Sequence, residues 1–279
     1  MPSIVTNTAA NSALRYLNVN SQAQTDSVSK IASGSRITKA SDDASGLAIG
    51  TKIQSDVTAL QQASTNASNG SSILQAADGG MARISDILQR MKSLATQSLS
   101  GTVGDNERAY IDAEYQQLIE EIDSIATGTR FNDDSLLTAN TTGTDWTAAA
   151  GVDFVVGSST TDKINVKITA VDATSLAVDT GDVTTAATAT TAVAALDTAI
   201  STLSKARADV GALISRFDYH GEMIDTSIEN QSAIKSDIMD VDVAEEQTKL
   251  SNEDVLVQAA IAALSKANEM PTNLLQLLR

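Results

Sequence analysis

Apolar residues return every seven positions through much of this chain. Ile53, Leu60, Ala67, Leu74, Met81, Leu88 and Ala95 form one such series. A second runs three residues later through Ala63, Gly70, Ala77, Ile84 and Met91, broken by Asp56 and Ser98. Two interleaved series sustained this long are a coiled-coil pattern. They predict one helix over about residues 43–99, with an N-cap from Ser41, Asp42 or Asp43. Gly79 and Gly80 are its weak point, because glycine costs about 1 kcal/mol against alanine inside a helix. Asp105 offers the cap of a second amphipathic helix over about 105–127, carried by Ile111, Tyr115, Leu118, Ile122 and Ile125. A third spans about 190–235, where Leu196, Leu203, Val210, Phe217 and Ile224 recur, backed by Ile200, Ile214 and Ile228.

Between about 136 and 190 the character changes to Thr, Ser, Gly and Asp. "VDFVVG" and "DKINVKITAVD" are alternating or β-branched, and "GSSTTD" between them is turn chemistry. A β-hairpin or small β-subdomain follows, with Trp146 anchoring a small core at its edge. Weaker helical arms stand at both ends. Ala10, Leu17 and Ile31 with Leu14 and Val28 mark the first, broken by Ser21 and Gln24. Leu250, Val257 and Leu264 with Ala260 and Ala267 mark the second. The fold class is therefore mainly α with a small β insertion. Residues 1–42 and 236–279 are expected as terminal coiled-coil arms, 43–137 and 186–235 as a helical rod, and 138–185 as a β-rich insertion. The rod requires the chain to fold back on itself, which brings the termini to the same end.

Composition narrows the chemistry. The formal net charge is −16, which disfavours nucleic acid or an anionic membrane as partner. There is no cysteine, so neither disulfides nor thiolate metal sites can form. The single histidine, His220, rules out the common zinc sets and is expected on a solvent-facing helix surface. No phosphate loop occurs, and Asp237, Asp240 and Asp242 lack the glycine and terminal glutamate of a calcium loop. Adjacent acids such as Asp42–Asp43, Glu120–Glu121 and Asp133–Asp134 are read as caps or solvated faces. No enzyme, cofactor or metal is expected. The N-terminus has neither the basic region nor the continuous apolar run of a Sec signal. Prolines occur only at positions 2 and 271. The final six residues hold Leu274, Leu275, Leu277 and Leu278, which a solvated tail would not. That reads as an interface.

Several long motifs, in order, resemble those of bacterial flagellins. "ASGSRITKASDDASGLAIG", "QQASTNASNGSSILQAADGG" and "LQRMKSLATQ" stand in the first half. "RADVGALISRFDY" and "QAAIAALSKANEMPTNLLQLLR" stand in the second. The resemblance covers about residues 1–136 and 186–279. It implies a structural subunit that self-polymerises into the flagellar filament for swimming motility. It implies an extracellular location reached by the flagellar type III export route, and terminal arms that order on assembly. Leu14, Leu17, Val28, Ile31, Leu250, Val257, Leu264 and the four terminal leucines would then form the filament-core interface. Implied partners are further copies of the chain or other flagellins, an export chaperone, the filament cap and hook-junction proteins.

Flagellins are also bound by Toll-like receptor 5 of animals. The family's contact positions fall here on Gln89, Arg90, Leu94 and Gln97, with Glu114 on the second helix. Lys92 and Ser93 depart from the usual Arg and Glu. The alternative readings are a hook–filament junction protein, or a filament subunit with an adhesive or glycosylated surface in "TANTTGTDWT" and "TTAATATTA". A protease in the insertion is disfavoured by its shortness and lack of histidine.

Overall fold

The computed structural model describes residues 6–139 and 144–277, with backbone alone from 271 onward. Five helices carry the chain: α1 (Thr8–Ser33), α2 (Ala44–Ser98), α3 (Asp105–Gly128), α4 (Ala186–Met239) and α5 (Val243–Leu277). Four short strands lie between α3 and α4: β1 (Arg130–Phe131), β2 (Asp134–Ser135), β3 (Val152–Val155) and β4 (Lys163–Val166). The chain divides into two compact units, one of residues 1–55 with 230–279 and the other of 56–229.

The unit of 56–229 is built on the heptads. Leu60, Ala63, Ala67, Leu74, Ala77, Met81, Ile84, Leu88, Met91 and Ala95 of α2 are all buried. They share a core with Ile111, Tyr115, Ile119 and Ile122 of α3, and with Leu196, Leu203, Val210 and Phe217 of α4. Ser98, which interrupts the sequence pattern, is buried too, because its hydroxyl donates to the Val183 carbonyl at 2.6 Å. Gly79 and Gly80 do not break α2. A side chain at Gly80 would meet Thr129 and Leu137, so that glycine permits a close approach. The cap of α3 differs from expectation: Gly104 occupies it without a side-chain bond, and Asp105 lies in the first turn, facing the helix dipole.

Two antiparallel hairpins and an irregular segment cover this core. Asn132 and Asp133 both take positive φ in the tight turn joining β1 to β2. In the second hairpin Val152 pairs with Val166 and Val155 with Lys163. Strand pairing ends at Val166, short of the extended run read from the sequence. Residues 168–183 are coil, yet Ile168, Val171, Val178 and Val183 are fully buried. Side chains of α3 hold this coil. Asp123 accepts from the Ala173 amide at 2.8 Å, Asp112 accepts from the Val183 amide at 3.1 Å, and Gln116 donates to the Gly181 carbonyl at 2.8 Å. Trp146 is buried; Phe131 meets it edge-on, Phe154 lies tilted against it, and Phe154 meets Phe217 edge-on. The only tryptophan and all three phenylalanines thus form one line of rings.

His220 departs from its expected solvent-facing place. It is half-buried, and its Nδ1 is enclosed without a hydrogen-bond partner. It stands three residues after Phe217, in the row of Ala199, Ala206 and Leu213, so it occupies a seam position.

Candidate functional site

The other unit pairs α1 with α5. Asn7 caps α1 by accepting from the Ala10 amide, and its Nδ2 donates to the Ala267 carbonyl at 2.7 Å. At the other end Gly34 closes α1 with φ of 69°, a conformation that favours glycine. The following strap is fixed to the segment before α5. The Arg36 amide donates to the Met239 carbonyl at 2.7 Å, and the Val241 amide donates to the Gly34 carbonyl at 3.1 Å. Asp42 accepts from the Thr38 and Lys39 amides, and Lys39 pairs with Asp26 at 3.0 Å. Asp242 then caps α5 by accepting from Ala244 and Glu245. The two helices therefore run antiparallel, with Gln24 of α1 also bonded to Asp254 of α5.

The facing rows follow a 4-3 spacing. On α5 they are Glu246, Leu250, Glu253, Val257, Ala260, Leu264 and Ala267; on α1 they are Ala10, Ala13, Leu17, Asn20, Gln24, Ser27 and Ile31. Of the expected interface residues, Leu17, Ile31, Leu250, Val257 and Leu264 are half-buried in this seam, whereas Leu14 and Val28 are exposed. The side chains of Leu274, Leu275 and Leu277, and all of Leu278, lie outside the described residues.

Much apolar surface also faces away from the seam. Tyr16 and Val19 on α1, and Val255, Leu256, Ile261 and Met270 on α5, are each more than half exposed. The heptad spacing does not select these residues. Their signal is an excess of apolar positions off the seam, as in "DVLVQAAIAAL". A two-helix pair that leaves this much apolar area in water has a second face to cover. The charges on the pair are unequal. Helix α1 carries Arg15, Lys30 and Asp26, while residues 243–270 of α5 carry five acids and two lysines.

The expected receptor positions lie in the unit of 56–229. Gln89, Arg90 and Gln97 are exposed on α2. Arg90 donates through Nε and Nη2 to Oε1 of Glu114, at 2.9 and 2.6 Å, which joins α2 to α3. Leu94 is only 2% exposed and belongs to the core, so its side chain is turned away from that surface.

The family model of the bacterial flagellin N-terminal helical region matches residues 4–142, and that of the C-terminal helical region matches residues 193–278. The chain belongs to the bacterial flagellin family. Among flagellin relatives, that of Halalkalibacterium halodurans is 36% identical over 277 residues, covering 98% of both chains. A flagellar filament 33 kDa core protein of Treponema phagedenis is 38% identical over 259 residues, covering 90% of each. The crystal structure of Bacillus cereus flagellin aligns with a TM-score of 0.50 at 32% identity, over 57% of this chain and 88% of that one. A putative flagellar hook-associated protein of Vibrio parahaemolyticus shares the fold alone, with a TM-score of 0.57 at 15% identity, over 71% of this chain and 100% of that one.

Proposed function

We propose that this chain is a structural subunit of the bacterial flagellar filament, and that copies assemble through the α1/α5 pair. The outward apolar face of that pair carries the reading. Among the described residues, Tyr16, Val19, Val255, Leu256 and Ile261 have no neighbour that removes them from water. Surfaces that differ on the two sides of a subunit join head to tail, and a non-closing rotation then yields a helical filament. The role is structural, at the outside of the cell.

Within this reading, residues 1–42 and 236–279 form the filament core. Residues 43–137 and 186–235 form the helical rod, and 138–185 form the variable β-rich insertion. Leu274, Leu275, Leu277 and Leu278 are assigned to the same core interface on their sequence pattern. Export through the flagellar type III route, with a chaperone before assembly and contacts to the hook-junction and cap proteins afterwards, belongs to the same proposal. Gln89, Arg90 and Gln97, with Glu114 held by Arg90, are the surface offered to Toll-like receptor 5. Receptor-reporter cells that stay silent with pure monomer would remove that element.

The test of assembly is electron microscopy of full-length protein seeded with sheared filaments. Wild-type protein is expected to give long uniform filaments. Leu256→Asp with Ile261→Asp is expected to give none, while the circular dichroism of the 56–229 unit persists. Normal filaments from that variant would overturn the reading of the outward face.

A further inference from the structure

Strand β4 has a free side. The β3/β4 hairpin is a sheet of two strands. The Val156 amide donates to the Asp162 carbonyl at 2.9 Å, and Val155 faces Lys163 in the register. The backbone groups of Ile164 and Val166 therefore point into the ladder, and those of Lys163 and Asn165 point out of it. On β3 the outer side lies towards α2, where the Val155 carbonyl accepts from Asn66 Nδ2 at 3.1 Å. On β4 the outward amides and carbonyls have no partner among the described residues. The fully buried Ile164 and Val166 anchor the strand, so this edge is held in place.

A groove of about 520 Å³ runs along the free side. Asn165 and Lys167 stand on one wall, and Asp209, Ala212, Leu213 and Arg216 of α4 on the other. Its charges are partly satisfied from within. Lys163 is paired with Asp153, and Asn165 donates to Asp153 and to the Ala150 carbonyl. Lys167 and Arg216 have no acidic partner among the described residues, on a chain whose formal charge is −16. Asp209 precedes Arg216 by two turns on the same face of α4, about 10 Å away at 1.5 Å per residue.

An unpaired strand edge is a template for a further strand. Beside a groove, main-chain bonds supply affinity and the walls choose the side chains. Lys167 and Arg216 choose carboxylates, Asp209 rejects them at its own end, and the half-buried Leu213 accepts an apolar side chain. We propose that the groove between β4 and α4 binds an extended acidic segment of another protein, added to β4 as a third strand. Its carboxylates lie at Lys167 and Arg216, and its uncharged or basic end lies at Asp209. A second copy is a poor occupant, because pairing two β4 edges would set the same cations against each other. The inference stands apart from the assembly reading, which uses the α1/α5 pair.

Nuclear magnetic resonance titration of the full-length monomer with the synthetic peptide Ac-Thr-Val-Glu-Val-Glu-NH2 tests this. The Lys163 and Asn165 amides are expected to shift, with a dissociation constant below about 1 mM. Replacing both Glu of the peptide by Gln is expected to weaken binding at least tenfold, as is Lys167→Glu with Arg216→Glu in the chain. Lys205→Glu, an exposed cation of α4 outside the groove, is expected to change nothing. Of two peptides N-methylated on alternate residues, the one blocked on the side facing β4 is expected to lose binding and the other to keep it. The peptide comparisons use the wild-type chain, so they decide the matter whether or not the double variant folds. Silence at Lys163 and Asn165, full binding by the Gln peptide, or equal loss in Lys205→Glu would overturn the proposal. Equal binding by both methylated peptides would overturn the added strand. Shifts of the same amides with rising chain concentration alone would give the groove to a second copy and overturn the acidic partner.

Discussion

Arg207 on α4 holds Asp78 on α2 by two hydrogen bonds, Nε to Oδ1 at 2.8 Å and Nη2 to Oδ2 at 3.3 Å. This pair ties the two long helices beside Ala77 and Ala206, where the core side chains are small. Both side chains keep more than a third of their surface in water, at 39% and 38%. Screening therefore limits the pair to about 0.5–1 kcal/mol. A double-mutant cycle with Arg207→Ala and Asp78→Ala, followed by denaturant unfolding, is expected to give a coupling of that size. A coupling indistinguishable from zero would make the pair incidental.

Two glycines of α2 should answer alanine with opposite signs. A Cβ at Gly70 would sit 2.8 Å from the Phe217 ring, which is buried and cannot move aside cheaply. Gly70→Ala is expected to destabilise the 56–229 unit by about 1–3 kcal/mol, despite the better helix former. Gly79 faces open space. Gly79→Ala is expected to stabilise by up to about 1 kcal/mol. Thermal unfolding of the two variants checks both signs.

The Tyr115 phenol is held above its ordinary value, at about 12, first by burial and then by the negative charge of Asp112. The folded chain keeps this proton more firmly than the unfolded chain. The associated stability is complete below pH 10 and is lost as pH rises from 10 through 12, on the order of 3 kcal/mol. Ultraviolet titration should show one tyrosine ionising last, and Tyr115→Phe should remove that step. An unchanged alkaline limb in the variant would contradict the burial argument.

Phe154 stands between Trp146 and Phe217, with ring centroids at 6.0 and 5.5 Å. Phe154→Ala should therefore break this line of aromatic rings. A loss of about 2–4 kcal/mol is expected, with a red shift of Trp146 emission as water reaches the indole. Since Trp146 is the sole tryptophan, the emission has a single source.

The helices were legible because periodicity alone decides them. Burial of Leu60 through Ala95 on α2, and of Leu196 through Ile224 on α4, follows from spacing by seven. Helix α4 begins at Ala186 and reaches Met239, beyond the expected 190–235, because its first turns are Thr- and Ala-rich and resemble a loop. Asp182 supplies what spacing cannot show: its carboxylate accepts from the Thr184 amide at 2.7 Å and from the Thr188 hydroxyl at 3.2 Å, ordering the entry. The start of the coil of 168–183 reads as strand because "DKINVKITAVD" alternates and is rich in β-branched residues. What orders it is side-chain bonding from Asp112, Gln116 and Asp123, which leaves no trace in local pattern. At the terminal pair the apolar seam was visible. Its two glutamates were not, since the rows were sought among apolar residues.

Asn7 meets the carbonyl of Ala267 across 260 residues of sequence. The first helix is therefore synthesised long before the partner it needs exists, while each hairpin and the α2/α3 turn can form as they emerge. During that interval α1 is open to any other helix with a matching row, including the α5 of another chain. The order of synthesis thus sets an intramolecular closure against an intermolecular one, and the contact between Asn7 and Ala267 has to wait for α5.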